Sequence, residues 1–184
     1  MKNIITISKG IYLKEDLKSK SKSFYLNKPF IKIDSNISNF IKIFSKENNE
    51  CDLRVCVHKD LKSIHHDMII LHQKKNFYPP HISNFTSDTY IVLDGKLAIF
   101  VFNKDGGIIA STILKKNEMF RVPKSKIHCV FPLSKVSIFY EMRIGPFKKI
   151  NTILLPWAPS HKSKKKDIEK YKMNLFKYLK KKNL

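Results

Sequence analysis

Between residues 53 and 144 the sequence breaks into eight short apolar runs, LRVCVH, DMIILHQ, TYIVLDG, KLAIFVF, IIASTIL, MFRVP, HCVF and VSIFYEMRI, separated by turn-forming residues. No helical period links them, and short runs at this spacing predict an antiparallel sandwich or barrel. Two hairpins are written into the stretch. FNKDGGII puts Asp105, Gly106 and Gly107 where a tight turn demands positive φ, and TYIVLDGKLAIFVF turns at Asp94 and Gly95. A chain of 184 residues has room for one such domain with appendages.

The flanks read differently. Residues 1–34, with the short pieces IITI and FYL around a charged KEDLKSKSKS, predict an irregular or extended N-terminal arm. Within 35–52, Ile37, Phe40, Ile41 and Phe44 recur at helical spacing behind a Ser or Asn cap, so a helix should pack on the domain. Residues 53–160 are then the β-domain, closing with a proline-punctuated crossing that buries Trp157. In 161–184, Ile168, Tyr171, Leu175 and Leu179 form one stripe among lysines, an amphipathic basic helix. Its stripe could lie on an anionic membrane surface, or on the domain's own surface, which is the commoner arrangement.

The formal net charge of +21 would draw polyanions in low salt. Almost all of it is lysine, however, with Arg54, Arg121 and Arg143 the only arginines, whereas specific phosphate and base recognition leans on the guanidinium fork. Nucleic acid is therefore not the expected partner. No apolar run approaches the roughly 20 residues of a bilayer span, and MKNIITISKGIYLKED lacks a signal-peptide core, so a cytoplasmic location is expected. Cys51, Cys56 and Cys129 form no CxxC pair and are expected as reduced thiols that act as small hydrophobes.

Of the histidines, His81 and His128 fall where the rims of a jelly roll would bring distant strands to one cavity. The residues around them carry a resemblance. His81, Ser83, Asp88 and Gly95 resemble the first cupin motif, and VPKSKIH, residues 122–128, resembles the second. RVCVH, the PPH entry, FNKDGG, EMRIGPF at 141–147 and PWAP at 156–159 resemble, in order, the WbuC family of cupin-fold metalloproteins, found in gene clusters for O-antigen and related surface polysaccharides. The resemblance covers residues 35–160. It implies an all-β cupin double-stranded β-helix, or jelly-roll barrel, between an N-terminal helix and a C-terminal amphipathic helix. It also implies one divalent metal ion, Fe, Mn, Ni or Zn, on His81, Asp88 and His128.

The departures bear on that metal. Ser83 stands where a second histidine is expected and binds transition metals poorly. Asp88 stands in place of a glutamate, one methylene shorter, so its carboxylate should fall about 1.5 Å short. Lys75, Asn117 and Ser125 replace glycines; Asn117 tolerates a left-handed backbone, whereas Lys75 implies a shifted turn. The bland alternative is a vestigial pocket in which His81 and His128 bond to each other or to water.

Other candidates are Glu141 and Tyr140 for proton transfer, Arg54 and His58 for an anionic substrate group, and Lys75 at the pocket mouth. Each has an ordinary structural role as its alternative. The expected function is to bind, and by extension transform, a small polar ligand; by resemblance this is a carbohydrate or nucleotide-sugar intermediate of surface-polysaccharide assembly. A non-catalytic ligand-binding or assembly cupin, and a basic protein that meets nucleic acid or a membrane through its terminal helix, are the rivals. An edge-strand homodimer is expected.

Overall fold

A computed structural model describes residues 4–8, 11–19, 21–27, 32–146 and 152–182. The N-terminal segment is extended, as its composition suggests, but it is not a loose arm: β1 (Ile4–Ser8), β2 (Ile11–Glu15) and β3 (Lys22–Leu26) pair in turn and add to the main sheet. Helix α1 (Ser35–Glu47) follows, and its cap is Asp34 rather than a Ser or Asn, with Asp34 Oδ1 accepting from the Asn36 amide at 2.9 Å.

All eight apolar runs are strands. They form β4 (Leu53–Cys56), β5 (His65–Gln73), β7 (Asp88–Asp94), β8 (Leu97–Phe102), β9 (Ile108–Leu114), β10 (Met119–Val122), β11 (Ile127–Pro132) and β12 (Val136–Ile144). Two strands too short to read from sequence join them, β6 (His81–Ser83) and β13 (Thr152–Leu154).

The chain folds back on itself about the β8–β9 hairpin. Outward from that turn β8 pairs with β9, β7 with β10, β6 with β11 and β5 with β12, all antiparallel. The turn needs Gly106 twice over: its φ is +87°, and a Cβ there would stand 2.8 Å from the Trp157 ring. Nested pairing yields two sheets, ordered β1-β2-β3-β4-β5-β12-β7-β10 and β13-β6-β11-β8-β9. The runs β5-β12-β7-β10 and β6-β11-β8-β9 are the two halves of a jelly roll, the architecture that cupins share. The sheets remain two rather than closing into one barrel: among the described residues no ladder joins them.

Three apolar layers hold the sheets. Met68, Ile70, Val92, Ile99 and Phe139 pack between them. Ile69, Leu71, Leu53, Val55 and Ile138 point outward beneath Ile37 and Ile41 of α1. β5 is thus buried on both faces, which is why its middle reads MIIL without alternation. Helix α2 (Lys165–Lys181) covers the outer face of the smaller sheet, where Leu175 and Leu179 meet Phe100 and Phe131. Each such buried side chain contributes roughly 1.5–3 kcal/mol relative to an exposed one. The stripe that could have met a bilayer is consumed by the protein itself, and Lys172 fastens the helix by donating to the carbonyls of Lys74, Lys75 and Asn76. Among the described residues no helix is long and apolar enough to cross a membrane.

Asn117 and Ser125 do take positive φ, 68° and 60°, as two of the altered glycine positions require, whereas Lys75 does not. Phe147, the end of the EMRIGPF run, lies outside the described residues.

Candidate functional site

Two cross-strand pairs build the site, one from each sheet. On the smaller sheet, β6 and β11 set His81 opposite His128, their ring centroids 4.5 Å apart. On the larger sheet, β7 and β12 set Asp88 opposite Arg143. Strand alternation then brings in Ser83 beside His81, Tyr90 beside Asp88 and Glu141 beside Arg143. Because the sheets face each other, the pairs meet in the interior, where His128 Nε2 lies 3.3 Å from Asp88 Oδ2.

The cluster is sealed: Asp88 and His128 are 1% exposed, Ser83 and Tyr90 2%. A buried carboxylate needs compensation, and Arg143 supplies it. Its Nε lies 2.9 Å from Asp88 Oδ1, its Nη2 donates to Ser83 Oγ at 2.9 Å, and its Nη1 stops 3.9 Å from Glu141 Oε1. The Nε–Oδ1 approach is a charge contact whose hydrogen is not aligned, so both atoms keep unused hydrogen-bonding capacity.

His128 is oriented by backbone. Its Nδ1 lies 3.1 Å from the Lys126 carbonyl, which places a hydrogen on that nitrogen. Nε2 therefore accepts from Tyr90 Oη at 3.0 Å and lies 3.3 Å from Asp88 Oδ2. His81 Nδ1 faces the Pro79 carbonyl at 3.3 Å in the same way.

Electrostatics follow from burial and from Arg143. Burial, reinforced by His128, pushes the His81 imidazole down to about 3, so that ring is neutral. Burial alone would raise Asp88, but the His128 hydrogen bond and the Arg143 charge outweigh it and hold the carboxyl below its ordinary value. Glu141 goes the other way: burial raises it, the Asp88 charge adds to this, and Arg143 only partly offsets them. Two carboxyl groups flanking one guanidinium are thus pushed apart in acidity.

Of the residues singled out in the sequence, His81, Ser83, Asp88 and His128 are brought together, and Glu141 joins them. Despite its shorter side chain, Asp88 reaches to within 3.3 Å of His128 Nε2. Tyr140 does not join; it faces outward, half-buried against the core beneath α1. Arg54 lines a separate cavity of about 460 Å³ with Asp52, His72, Tyr78 and His161, and donates to the hydroxyls of Ser19 and Ser23. His58 stacks on His66 at 4.1 Å, its Nδ1 3.1 Å from the Asp67 backbone, instead of pairing with Arg54. Lys75 sits in the turn after β5, paired with Glu50 at 3.2 Å, and takes no part in the cluster. Sequence reading missed Arg143 and Tyr90. Both stand at alternate positions from a recognised candidate, which was the one available signal, but only the register shows that they face it.

His81, Asp88 and His128 offer three ligand atoms within 4.8 Å of one another, so the parts of a metal site are present. The charge arrangement does not fit one. Asp88 is already paired with a permanent cation, and a divalent ion about 5 Å from a guanidinium is opposed by roughly 6–7 kcal/mol at an effective dielectric of about 20. Ser83 offers only a neutral hydroxyl that is already accepting from Arg143.

No protein-family model matches the sequence, and none of the curated proteins matches it. Solved structures similar to this one include oxalate decarboxylase from Bacillus subtilis, described with Mn(II) centers, at 14% identity and a TM-score of 0.46 over 57% of this chain and 28% of that one. KdgF from Halomonas sp. is 14% identical with a TM-score of 0.43, covering 54% of this chain and 82% of that one. A cupin superfamily protein from Desulfitobacterium hafniense is 13% identical with a TM-score of 0.42, covering 50% and 76%. The chain spans about a quarter of the length of the oxalate decarboxylase chains it matches. At TM-scores below 0.5 these likenesses decide nothing, and the jelly roll stands on its strand order.

Proposed function

We propose that this chain binds a small, oxygen-rich ligand between its two sheets, with one ligand oxygen lodged between Arg143 and Glu141. One observation carries the reading. Arg143 Nη1 and Glu141 Oε1 stop 3.9 Å apart at an edge of the cluster that is not sealed, their side chains 15% and 13% exposed. That gap is too long for a hydrogen bond between them and short enough for a single oxygen to bridge. The guanidinium can only donate, so the bridging atom accepts from it, and a hydroxyl there can also donate to a Glu141 carboxylate or accept from its acid form. A bridging hydroxyl is the group a carbohydrate presents. The resemblance to the WbuC family supports the finer reading of a carbohydrate or nucleotide-sugar intermediate of surface-polysaccharide assembly.

Tyr90, His128 and Asp88 form a set that can hold a proton without a metal, as epimerisation or ketoisomerisation of a sugar requires. A second reading, binding without turnover, is favoured by the sealing of Tyr90 and His128 away from the edge where a ligand enters.

The test is calorimetric titration with galacturonate, glucose, uridine diphosphate glucose and thymidine diphosphate glucose, on wild type, Arg143→Gln and Glu141→Gln. The expected result is saturable binding of at least one probe, weakened tenfold or more in Arg143→Gln and severalfold in Glu141→Gln. Binding that both variants leave unchanged, or no binding of any probe, overturns the assignment. Nuclear magnetic resonance of the bound probe over time then separates turnover from binding alone.

A further inference from the structure

We infer that Arg143 is the resident cation of this pocket: its guanidinium stands in for a divalent metal, keeps one out, and covers a latent two-histidine, one-carboxylate site that its removal opens.

The register makes guanidinium and metal alternatives. Arg143 is fixed opposite Asp88 by the β7–β12 ladder and reaches across the interior to Ser83 on the other sheet. It therefore ties together the two sheets at the level of His81 and His128, which is the mechanical role a shared ion would fill. Charge counting agrees. The cluster sets one guanidinium, Arg143, against two carboxyl groups, Asp88 and Glu141, so a divalent ion added to it leaves an excess of buried positive charge. With Arg143 neutralised, the same ion faces two carboxyl groups and comes close to balance.

The donor atoms that would receive a metal remain in place. His81 Nε2, the nitrogen away from the Pro79 carbonyl, makes no hydrogen bond to a described residue, and Asp88 Oδ1 is buried with unused acceptor capacity although a nitrogen lies 2.9 Å away. His128 has its Nδ1 fixed on the Lys126 carbonyl, the arrangement that leaves Nε2 for a ligand bond. Nothing else has to be built. This inference concerns the chain's own residues and holds whatever the organic ligand is.

The experiment is zinc and cobalt(II) binding to untagged, chelator-washed protein, followed by elemental analysis and by the visible spectrum of bound cobalt. Wild type should retain no ion at the cluster, meaning no signal that His128→Ala removes. Arg143→Ala should take up about one ion per chain, with affinity at least a hundredfold above wild type, and Arg143→Ala combined with His128→Ala should lose it again. Arg143→Lys, which keeps the charge, should stay metal-free. If Arg143→Ala folds poorly, Arg143→Gln serves, its neutral amide able to keep the Ser83 contact, and zinc should raise its Tm but not that of wild type. Near-stoichiometric metal in wild type that depends on His81 and His128 overturns the inference. So does a folded Arg143→Ala or Arg143→Gln that binds no more metal than wild type. A carbohydrate titration that fails while the metal gain appears would sink the ligand reading and leave this one standing.

Discussion

The interior of the jelly roll ends in two polar clusters with an apolar middle between them, and they are built on different plans. At one end stand Asp88, Arg143, Glu141, His81 and His128; at the other, His72, Tyr78 and Asp52 with the backbone of Gln73. Each end buries an imidazole, and burial pushes His81 to about 3 and His72 to about 4. The partners differ. His72 lies flat on Tyr78, centroids 3.8 Å apart, while Tyr78 Oη donates to Asp52 at 2.9 Å and the Gln73 amide donates to the same oxygen at 2.8 Å. Those groups come from the larger sheet and the turn that leaves it. The first cluster draws on four strands of two sheets, and its charges are compensated only across the gap between them. A local clamp fastens a turn. A network that needs both sheets in place depends on the whole fold, and replacing a buried ion pair of this kind by two well-packed apolar residues is often neutral or stabilising.

The largest expected effect breaks the ionic end. Asp88→Asn leaves the Arg143 guanidinium buried without its counter-charge, and unfolding in urea with chelator present should show a loss of about 3–5 kcal/mol. Arg143→Met should cost about as much by stranding Asp88. The double variant should recover most of the loss, because two neutral groups replace a pair. A cost for Asp88→Asn below about 1 kcal/mol, or additivity of the two changes, would show that this end is as local as the other.

The same contrast explains what could be read from the sequence. The eight strands and both helices were legible because each declares itself locally, by alternation, by helical spacing, or by a turn such as Gly106. His81 and His128 were legible as a pair because the strand count placed them on opposing arms. β6 was not, since three residues carry no period, and the place of the N-terminal strands was not, since β1, β2 and β3 pair in turn but join the main sheet only through the β3–β4 ladder, some thirty residues apart. Arg143 was invisible for a sharper reason. A residue's facing partner depends on the register between β7 and β12, some fifty residues apart, and no local pattern sets that offset. The sequence therefore suggested a metal among these histidines, whose ligand atoms do converge, but gave no sign of the arginine that faces them.

A smaller effect sharpens the His72 end. The folded-state value of His72, about 4, lies below the ordinary histidine value, so the unfolded chain takes up the proton first as pH falls. The stability due to a neutral His72 is fully present above about pH 6.5 and is lost progressively toward pH 4, by about 3 kcal/mol in all. His72→Phe keeps the stack on Tyr78 and removes the titration, and His72 Nδ1 has no hydrogen-bond partner to lose. The variant's unfolding free energy should fall less between pH 6.5 and 4 than that of wild type, with His81, His58 and His66, which burial also holds down, contributing to the remaining slope. Equal slopes in the two proteins would mean that His72 is reached by solvent and that the clamp is open.

The smallest effect is Tyr78→Phe, which deletes one hydroxyl from the clamp. That oxygen donates to Asp52 and lies 3.0 Å from both the amide and the carbonyl of Gln73, three contacts in all. Asp52 nevertheless keeps the Gln73 amide, and the ring keeps its stack on His72. A hydroxyl whose neighbours retain other partners contributes about 1 kcal/mol. Urea unfolding of Tyr78→Phe at neutral pH should show that loss and no change in the pH slope due to His72. A loss of about 3 kcal/mol or more would place Asp52 and Tyr78 in a coupled buried network like that of Asp88 and Arg143, and the two ends of the barrel would then differ in charge but not in kind.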